Sequence, residues 1–160
     1  MTSALPLLVV VLLGVGFLSY FAKRRTRADA RPWPFYARRL MGNAEQVLYH
    51  RLVQALPDRI ILAQVALPRL LGVKKGSGYR AWYNRIAQMS VDFVVCGKDG
   101  TALAVIEVDD STHERTDRQA ADARKNRALE AAGIRLVRVQ AKALPDAAAI
   151  KALLGGANAR

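Results

Sequence analysis

The chain has 160 residues, of which 52% are hydrophobic, and it carries a formal net charge of +12 and a single cysteine. This length leaves room for one domain of ordinary size rather than two. A single cysteine excludes a disulfide framework and a multi-cysteine zinc site within the chain, and it fits a reducing compartment. The basic surplus suits a polyanion, either nucleic acid or an anionic membrane surface, but it is equally compatible with a soluble surface rich in arginine.

The N-terminal segment is uncharged from Ala4 to Ala22 and rich in Leu, Val, Phe, Gly and Ala. As a helix it is long enough to cross a hydrocarbon layer of about 30 Å, so we expect residues 1–22 to form a transmembrane anchor. A cleaved signal peptide fits less well, because the start lacks basic residues and Tyr20 stands where the cleavage site needs a small side chain. Basic residues follow at once: Lys23, Arg24, Arg25 and Arg27. The positive-inside rule then predicts a single-pass inner-membrane protein with its N-terminus outside and its C-terminal domain in the cytoplasm.

The rest of the chain is predicted to consist of a basic, proline-containing tether over residues 23–34 and one domain over residues 35–160. The first helix of this domain is predicted over Ala44–Leu56, with Asn43 as its cap and an apolar stripe along one face. The β-branched, apolar segment Ile60–Leu67 predicts a strand.

The middle of the domain predicts a β-hairpin. Val91–Cys96 and Ala102–Val108 have strand character, and the short turn through Lys98-Asp99-Gly100 between them requires antiparallel pairing. Before the hairpin, the glycine-containing segment Lys74–Gly78 predicts a loop, and Ala81–Met89 predicts a short helix.

The C-terminal part predicts a helix over Arg115–Ala132, ended by Gly133, then a strand over Ile134–Val139 and a last helix that begins after Pro145. Parallel and antiparallel connections are both implied by this order of elements. The predicted fold class is therefore α/β, with a small mixed central sheet flanked by helices and preceded by one transmembrane helix.

Three carboxylates on apolar strands are the most informative feature of the sequence. Asp92 interrupts the first hairpin strand, Glu107 interrupts the second, and Asp109 follows two residues later. Strand side chains alternate, so Glu107 and Asp109 share a face, and Asp92 can lie across the hairpin from them. Carboxylates that converge in this way repel each other unless a cation lies among them, and their hard oxygens suit Mg²⁺ or Mn²⁺. The sequence therefore predicts a metal site formed by Asp92, Glu107 and Asp109.

Each of these carboxylates also has an ordinary explanation. Asp92 could begin its strand at the solvent boundary, Asp109 is a common turn former, and Glu107 could pair with an arginine of a neighbouring element. For any single residue the ordinary explanation is favoured. The matching strand positions of all three favour the metal site.

Further candidate residues follow the second hairpin strand. His113 is placed to act as a general base toward a metal-bound water, although a lone histidine is more often a surface residue. Asp122 and Lys125 are three residues apart and share a helix face, where Lys125 could offset negative charge or form a simple solvated ion pair. Glu45 on the first helix is a further acidic candidate. Three arginines of the same helix region are candidates for phosphate contacts: Arg118, Arg124 and Arg127.

In their order along the chain, these residues resemble the core of the PD-(D/E)XK, or restriction-endonuclease-like, superfamily: Asp92, Glu107-x-Asp109, His113, and the helix with Asp122 and Lys125. The nearest branch is an uncharacterised bacterial family, domain-of-unknown-function family 2726. Its pattern is a Val-Asp-Phe strand, an Ile-Glu-x-Asp-Asp strand, a following His and a helix ending in Ala-Gly, and it is similar to very-short-patch-repair endonucleases. The resemblance covers roughly Phe35 to Lys142.

The resemblance implies that Asp92 and Glu107 are metal ligands and that Glu45 is the first-helix carboxylate of the site. The chain departs from the superfamily pattern at one position, because Asp109 stands where the motif has a lysine, two residues after the acidic ligand. Either His113 or Lys125 stands in for that lysine, or activity has been lost.

Three functions remain open at this point. The leading one is hydrolysis of phosphodiester bonds in DNA or RNA, dependent on Mg²⁺ or Mn²⁺. The second is a catalytically inactive module of the same fold that binds nucleic acid, and the third is a membrane-tethered interaction module whose basic residues contact anionic lipid. The sequence does not distinguish DNA from RNA and does not indicate an oligomeric state.

Overall fold

The structure is a computed structural model that describes residues 4–29, 32–109 and 116–154, with side chains described for residues 9–23, 32–109 and 119–154. These residues form two compact units that divide between Arg38 and Arg39. The first unit contains the helix α1 (Ala4–Asp29), and the second contains a four-stranded sheet with the helices that pack on it.

The prediction of a transmembrane anchor is wrong. Within the part of the chain that the structure describes, no helix has both the length and the apolarity that a membrane crossing requires. Helix α1 continues beyond the uncharged stretch through Lys23 to Asp29, and several of its described residues are less apolar than Leu or Val: Gly14, Gly16, Ser19 and Tyr20. The predicted single-pass location in the inner membrane, with its orientation, is wrong for the same reason.

The second unit is a mixed α/β domain, which confirms the α/β part of the predicted fold class. The strand order is β1-β2-β3-β4, in which the first two pairs are antiparallel and β3 and β4 are parallel. The elements of this unit are α2 (Asn43–Ala55), β1 (Ile60–Ala66), α3 (Leu67–Leu70), α4 (Tyr79–Ile86), β2 (Ser90–Cys96), β3 (Ala102–Asp109), α5 (Thr116–Ala131), β4 (Arg135–Gln140) and α6 (Ala147–Leu154).

Local sequence signals explain where several of these elements begin and end. Gly100 adopts a φ of +82° in the hairpin turn, and Asp99 Oδ1 accepts a hydrogen bond from Thr101 N at 3.0 Å. Gly133, with a φ of +70°, ends α5 and lets the chain enter β4. The predicted first strand is one residue too long, because Leu67 already begins a helical turn with Pro68 at its first positions.

The sheet separates two apolar clusters. Helices α2 and α6 pack on one face, here called the α2/α6 face, whose buried core includes Leu48, Leu52, Phe93, Ile106 and Ile150. Helices α3, α4 and α5 pack on the other, here called the α5 face, whose buried core includes Leu67, Ile86, Val94, Val105 and Leu129.

Candidate functional site

Strands β2 and β3 separate at one end of the sheet. Their pairing runs only as far as Phe93 and Ile106, whereas β2 continues beside β1 to Ser90 and β3 continues beside β4 to Asp109. Asp92 and Glu107 are the first residues beyond the last β2–β3 pair, one on each strand. The opening between the strands therefore brings together two of the three carboxylates that the sequence singled out.

Asp92 is fixed in this opening by the backbone of β3. Its Oδ2 accepts a hydrogen bond from Val108 N at 2.8 Å. The side chain therefore takes the place of the backbone carbonyl that would accept this bond if the strands stayed paired. Because Asp92 and Glu107 lie beyond the last β2–β3 pair on facing strands, the negative charge of Asp92 also helps to raise the pKa of Glu107.

Glu107 is the one polar or charged residue that is buried among the residues with described side chains. Its Oε2 accepts a hydrogen bond from Lys125 Nζ at 2.8 Å, and the two side chains are only 11% and 13% exposed. Among the described residues, its Oε1 is buried without a hydrogen-bond partner. Burial raises the pKa of Glu107, the Lys125 ammonium opposes this effect, and Asp92 adds to it. The carboxylate is therefore only half satisfied by the described part of the protein.

Lys125 reaches the site from α5. It lies four residues before the buried Leu129 and so faces the sheet, and Asp122, one turn earlier, is half-buried on the same side, as the sequence predicted. Arg124 and Arg127 are exposed and line a groove beside α5. His113 and the side chain of Arg118 lie outside the described residues.

The Asp109 carboxylate contacts Arg138 of β4. Its Oδ1 accepts a 3.4 Å contact from Arg138 Nη1, and Arg138 Nη2 donates a 3.0 Å hydrogen bond to Asn126 Oδ1. Arg138 is brought there by β4, because it is the register partner of Glu107. Over the described ranges, no three His, Cys, Asp or Glu side chains are arranged to hold a metal ion. The structure therefore groups Asp92 with Glu107 and leaves Asp109 at the side of the site.

Glu45 connects α2 to the sheet beside the site. Its Oε2 accepts a hydrogen bond from Gly42 N at the start of the helix, and its Oε1 accepts one from Gln64 Nε2 at 3.1 Å. Gln64 lies between the register pairs Ala63–Phe93 and Val65–Val91 of β1 with β2. It has a φ of +52°, a backbone conformation that is unfavourable for residues other than glycine. A strained residue held in this way next to a carboxylate cluster is typical of functional sites.

Sequence reasoning did not assign roles to Gln64, Arg138 or Asn126. A signal existed for the first two, because Gln64 is the only polar residue in β1 and Arg138 interrupts the apolar run of β4. Both residues are polar interruptions of an apolar strand, which is the signal that marks Glu107. Their partners, however, depend on which strands are neighbours, and the sequence pattern does not contain that information.

The comparison with protein families identifies one match. Over residues 37–157 the chain matches the model of the family described as "Protein of unknown function (DUF2726)", and because this match covers most of the chain, the chain belongs to that family. No curated protein and no solved structure matches the chain.

Proposed function

We propose that this member of the DUF2726 family is a divalent-metal-dependent nuclease of the PD-(D/E)XK type that hydrolyses phosphodiester bonds of DNA or RNA. The observation that carries the proposal is Glu107 Oε1, which is buried with no partner among the described residues and lies beside Asp92 in the opening of the sheet. Leaving one acceptor oxygen of this carboxylate buried without a partner costs about 1 to 3 kcal/mol. A cation held between Glu107 and Asp92 would remove that cost.

The residues present fit Mg²⁺ or Mn²⁺. Mg²⁺ is usually bound through one or two carboxylates, with waters and substrate phosphates completing its octahedral shell. Asp92 and Glu107 can supply these two carboxylates, so the engagement of Asp109 with Arg138 does not argue against the site. When bound, the metal would polarise the scissile phosphate and lower the pKa of an attacking water.

In this proposal, Lys125 stands in for the lysine of the superfamily motif. Asp109 occupies the motif position in the sequence, but the Lys125 ammonium reaches Glu107 Oε2 from α5 at 2.8 Å. This contact orients the carboxylate and keeps a cation near the position where phosphate charge would develop. Arg138 and Asn126 hold Asp109 to one side, and the hydrogen bond from Val108 N holds Asp92 in place. His113 as general base remains a prediction.

The test uses the full chain as wild type and as Glu107→Gln. Glutamine keeps the size of the side chain and an oxygen that can accept from Lys125, so the fold should persist while the ligand charge is lost. Both proteins are incubated with single- and double-stranded DNA and RNA, with Mg²⁺, Mn²⁺ or chelator, and metal binding is measured by calorimetry. We expect metal-dependent cleavage that falls about a thousandfold in the variant, equivalent to about 4 kcal/mol.

Cleavage that persists in chelator, or that is equal in the two proteins, would contradict the assignment. A catalytically inactive nucleic-acid-binding module is the second candidate. It is favoured by the absence of the motif lysine and by the neutralisation of Glu107 by Lys125. It predicts salt-sensitive binding that does not depend on metal, together with no cleavage by the folded wild type.

A further inference from the structure

A second feature of the α5 face is a groove of about 1040 Å³, enclosed by α4, the loop that precedes it and α5. Among the described residues, the charged ones that line it are all basic: Lys74, Arg85, Arg124 and Arg127. The sequence adds to this charge, because it contains no acidic residue between Asp58 and Asp92. A groove of this charge complements a chain of phosphates.

The groove also displays aromatic surface. Trp82 lines it and is 49% exposed, and the Arg85 guanidinium lies 4.3 Å from the centroid of its ring. Tyr79 and Tyr83 lie on the same helix but do not line the groove; they stack on each other one turn apart, with centroids 5.6 Å apart, and both are exposed. Aromatic rings interleaved with arginines are the usual platform for stacking nucleobases.

Helix α5 joins the groove to the candidate nuclease site. The α5 residues that line the groove recur at helical spacing on one face: Arg124, Arg127, Ala128 and Ala131. Lys125, the neighbour of Arg124, turns instead toward Glu107 at 2.8 Å. One helix therefore presents basic residues to the groove and a lysine to the carboxylates.

We propose that this groove binds an unpaired stretch of nucleic acid, with a base stacked on Trp82 and the phosphates contacting Lys74, Arg124 and Arg127. A single strand is favoured over a duplex because the bases of a duplex are already stacked on one another and offer no free face to an aromatic ring. Single-stranded nucleic acid, or the unpaired part of a partly duplex molecule, is then the substrate class of the candidate nuclease site. That last step rests on the proposed function, whereas binding in the groove does not.

The test uses the intrinsic fluorescence of Trp82 in the full chain. The protein has two tryptophans, so Trp33→Phe leaves Trp82 as the only one. With chelator present, this protein is titrated with oligothymidylate of about 12 nucleotides, with a blunt duplex of the same length, and with vesicles of neutral or anionic lipid. We expect saturable quenching by the single strand, at a concentration at least about tenfold lower than for the duplex.

Variants of the groove sharpen this test. The Trp82 variants lack the fluorescent reporter, so their binding is measured by the anisotropy of a dye-labelled oligothymidylate. Trp82→Ala should weaken binding of the single strand about tenfold, whereas Trp82→Phe, which keeps an aromatic face, should retain most of the affinity. Replacing Arg124 and Arg127 together by Ala should reduce the slope of log affinity against log salt by about 1.4. Lys151→Ala is the matched control, because it removes a positive charge from α6 on the opposite face of the sheet and should leave the slope unchanged.

Quenching of equal strength by the duplex or by anionic vesicles would overturn the groove proposal, as would binding of the single strand without any change in Trp82 fluorescence. The groove proposal and the nuclease proposal can be rejected independently. Quenching without metal-dependent cleavage would support the groove and reject the nuclease. Metal-dependent cleavage without quenching would support the nuclease and reject the groove.

Discussion

The two faces of the sheet differ most clearly along a single strand. On β3, Ala104 and Ile106 point to the α2/α6 face and are buried in its apolar core. The alternate residues Val105, Glu107 and Asp109 point to the α5 face, where apolar packing gives way to charge. A cavity on the α2/α6 face measures about 10 Å³, whereas the groove on the α5 face measures about 1040 Å³.

This difference indicates that one face mainly stabilises the domain and the other carries the candidate site. The α2/α6 face is packed densely enough to hold the sheet, and the α5 face can therefore tolerate a buried ion pair, an unpartnered carboxylate oxygen and an open groove. Substitutions on the α2/α6 face should change the free energy of unfolding without changing metal affinity. Substitutions at the Glu107–Lys125 ion pair should change both quantities.

The largest effect is expected from Phe93→Ala on the α2/α6 face. Phe93 is fully buried, so removing its ring should lower the free energy of unfolding by about 3 to 5 kcal/mol. Urea unfolding measures the loss, and calorimetry should find unchanged metal affinity where the variant is still folded. A loss below about 1 kcal/mol would show that this face does not carry the stability of the domain.

A somewhat smaller effect is expected from Lys125→Met on the α5 face. The substitution leaves Glu107 buried without its ion-pair partner and should cost about 2 to 3 kcal/mol by urea unfolding in chelator. Mg²⁺ should restore part of this loss. The double variant Lys125→Met with Glu107→Leu should recover most of the stability but should not respond to Mg²⁺.

Lys98→Ala provides the matched control for that ion pair. Lys98 contacts Asp58 at 2.9 Å, but both side chains are more than three-quarters exposed, so its loss should leave the unfolding curve unchanged. A Lys98→Ala effect as large as that of Lys125→Met would contradict the role assigned to burial.

An effect smaller than that of Lys125→Met is expected for the dependence of stability on pH. The pKa of Glu107 is raised in the folded protein above its ordinary value of 4.5, mainly by burial, so the folded state holds the proton more tightly than the unfolded state. The stability that this provides is fully present below pH 4.5 and is lost as the pH rises through the raised pKa. Glu107→Gln should therefore gain stability relative to the wild type over that interval, measured by urea unfolding in chelator. If the free energies of unfolding of the two proteins changed in parallel with pH, the raised pKa of Glu107 would be contradicted.

Local patterns in the sequence predicted much of the domain. The hairpin strands are observed within one residue of the predicted limits, and α5 ends one residue before the predicted Ala132, because alternation, turn residues and a terminal glycine are signals within a few residues of one another. The same alternation correctly placed Glu107 and Asp109 on one face.

Features that depend on tertiary neighbours could not be predicted. The parallel register of β4 brings Arg138 next to Asp109, and this contact draws Asp109 away from the expected group of three carboxylates. The separation of β2 from β3 and the contact between Gln64 and Glu45 likewise require knowledge of which strands and helices are adjacent. The N-terminal prediction failed differently. It relied on an uncharged, apolar run of sufficient length over Ala4–Ala22, but no described helix combines the length and the apolarity that a membrane crossing requires.

The hydrogen bond from Val108 N to Asp92 has a consequence for comparing members of the family. Because the Asp92 carboxylate completes the backbone bonding of β3, selection for folding alone is expected to preserve it, even in a member that has lost catalysis. Glu107 and Lys125 form a buried pair that an inactive lineage could exchange together for apolar residues without loss of stability. Retention of Glu107 with Lys125, rather than retention of Asp92, should therefore distinguish the members that still bind a metal.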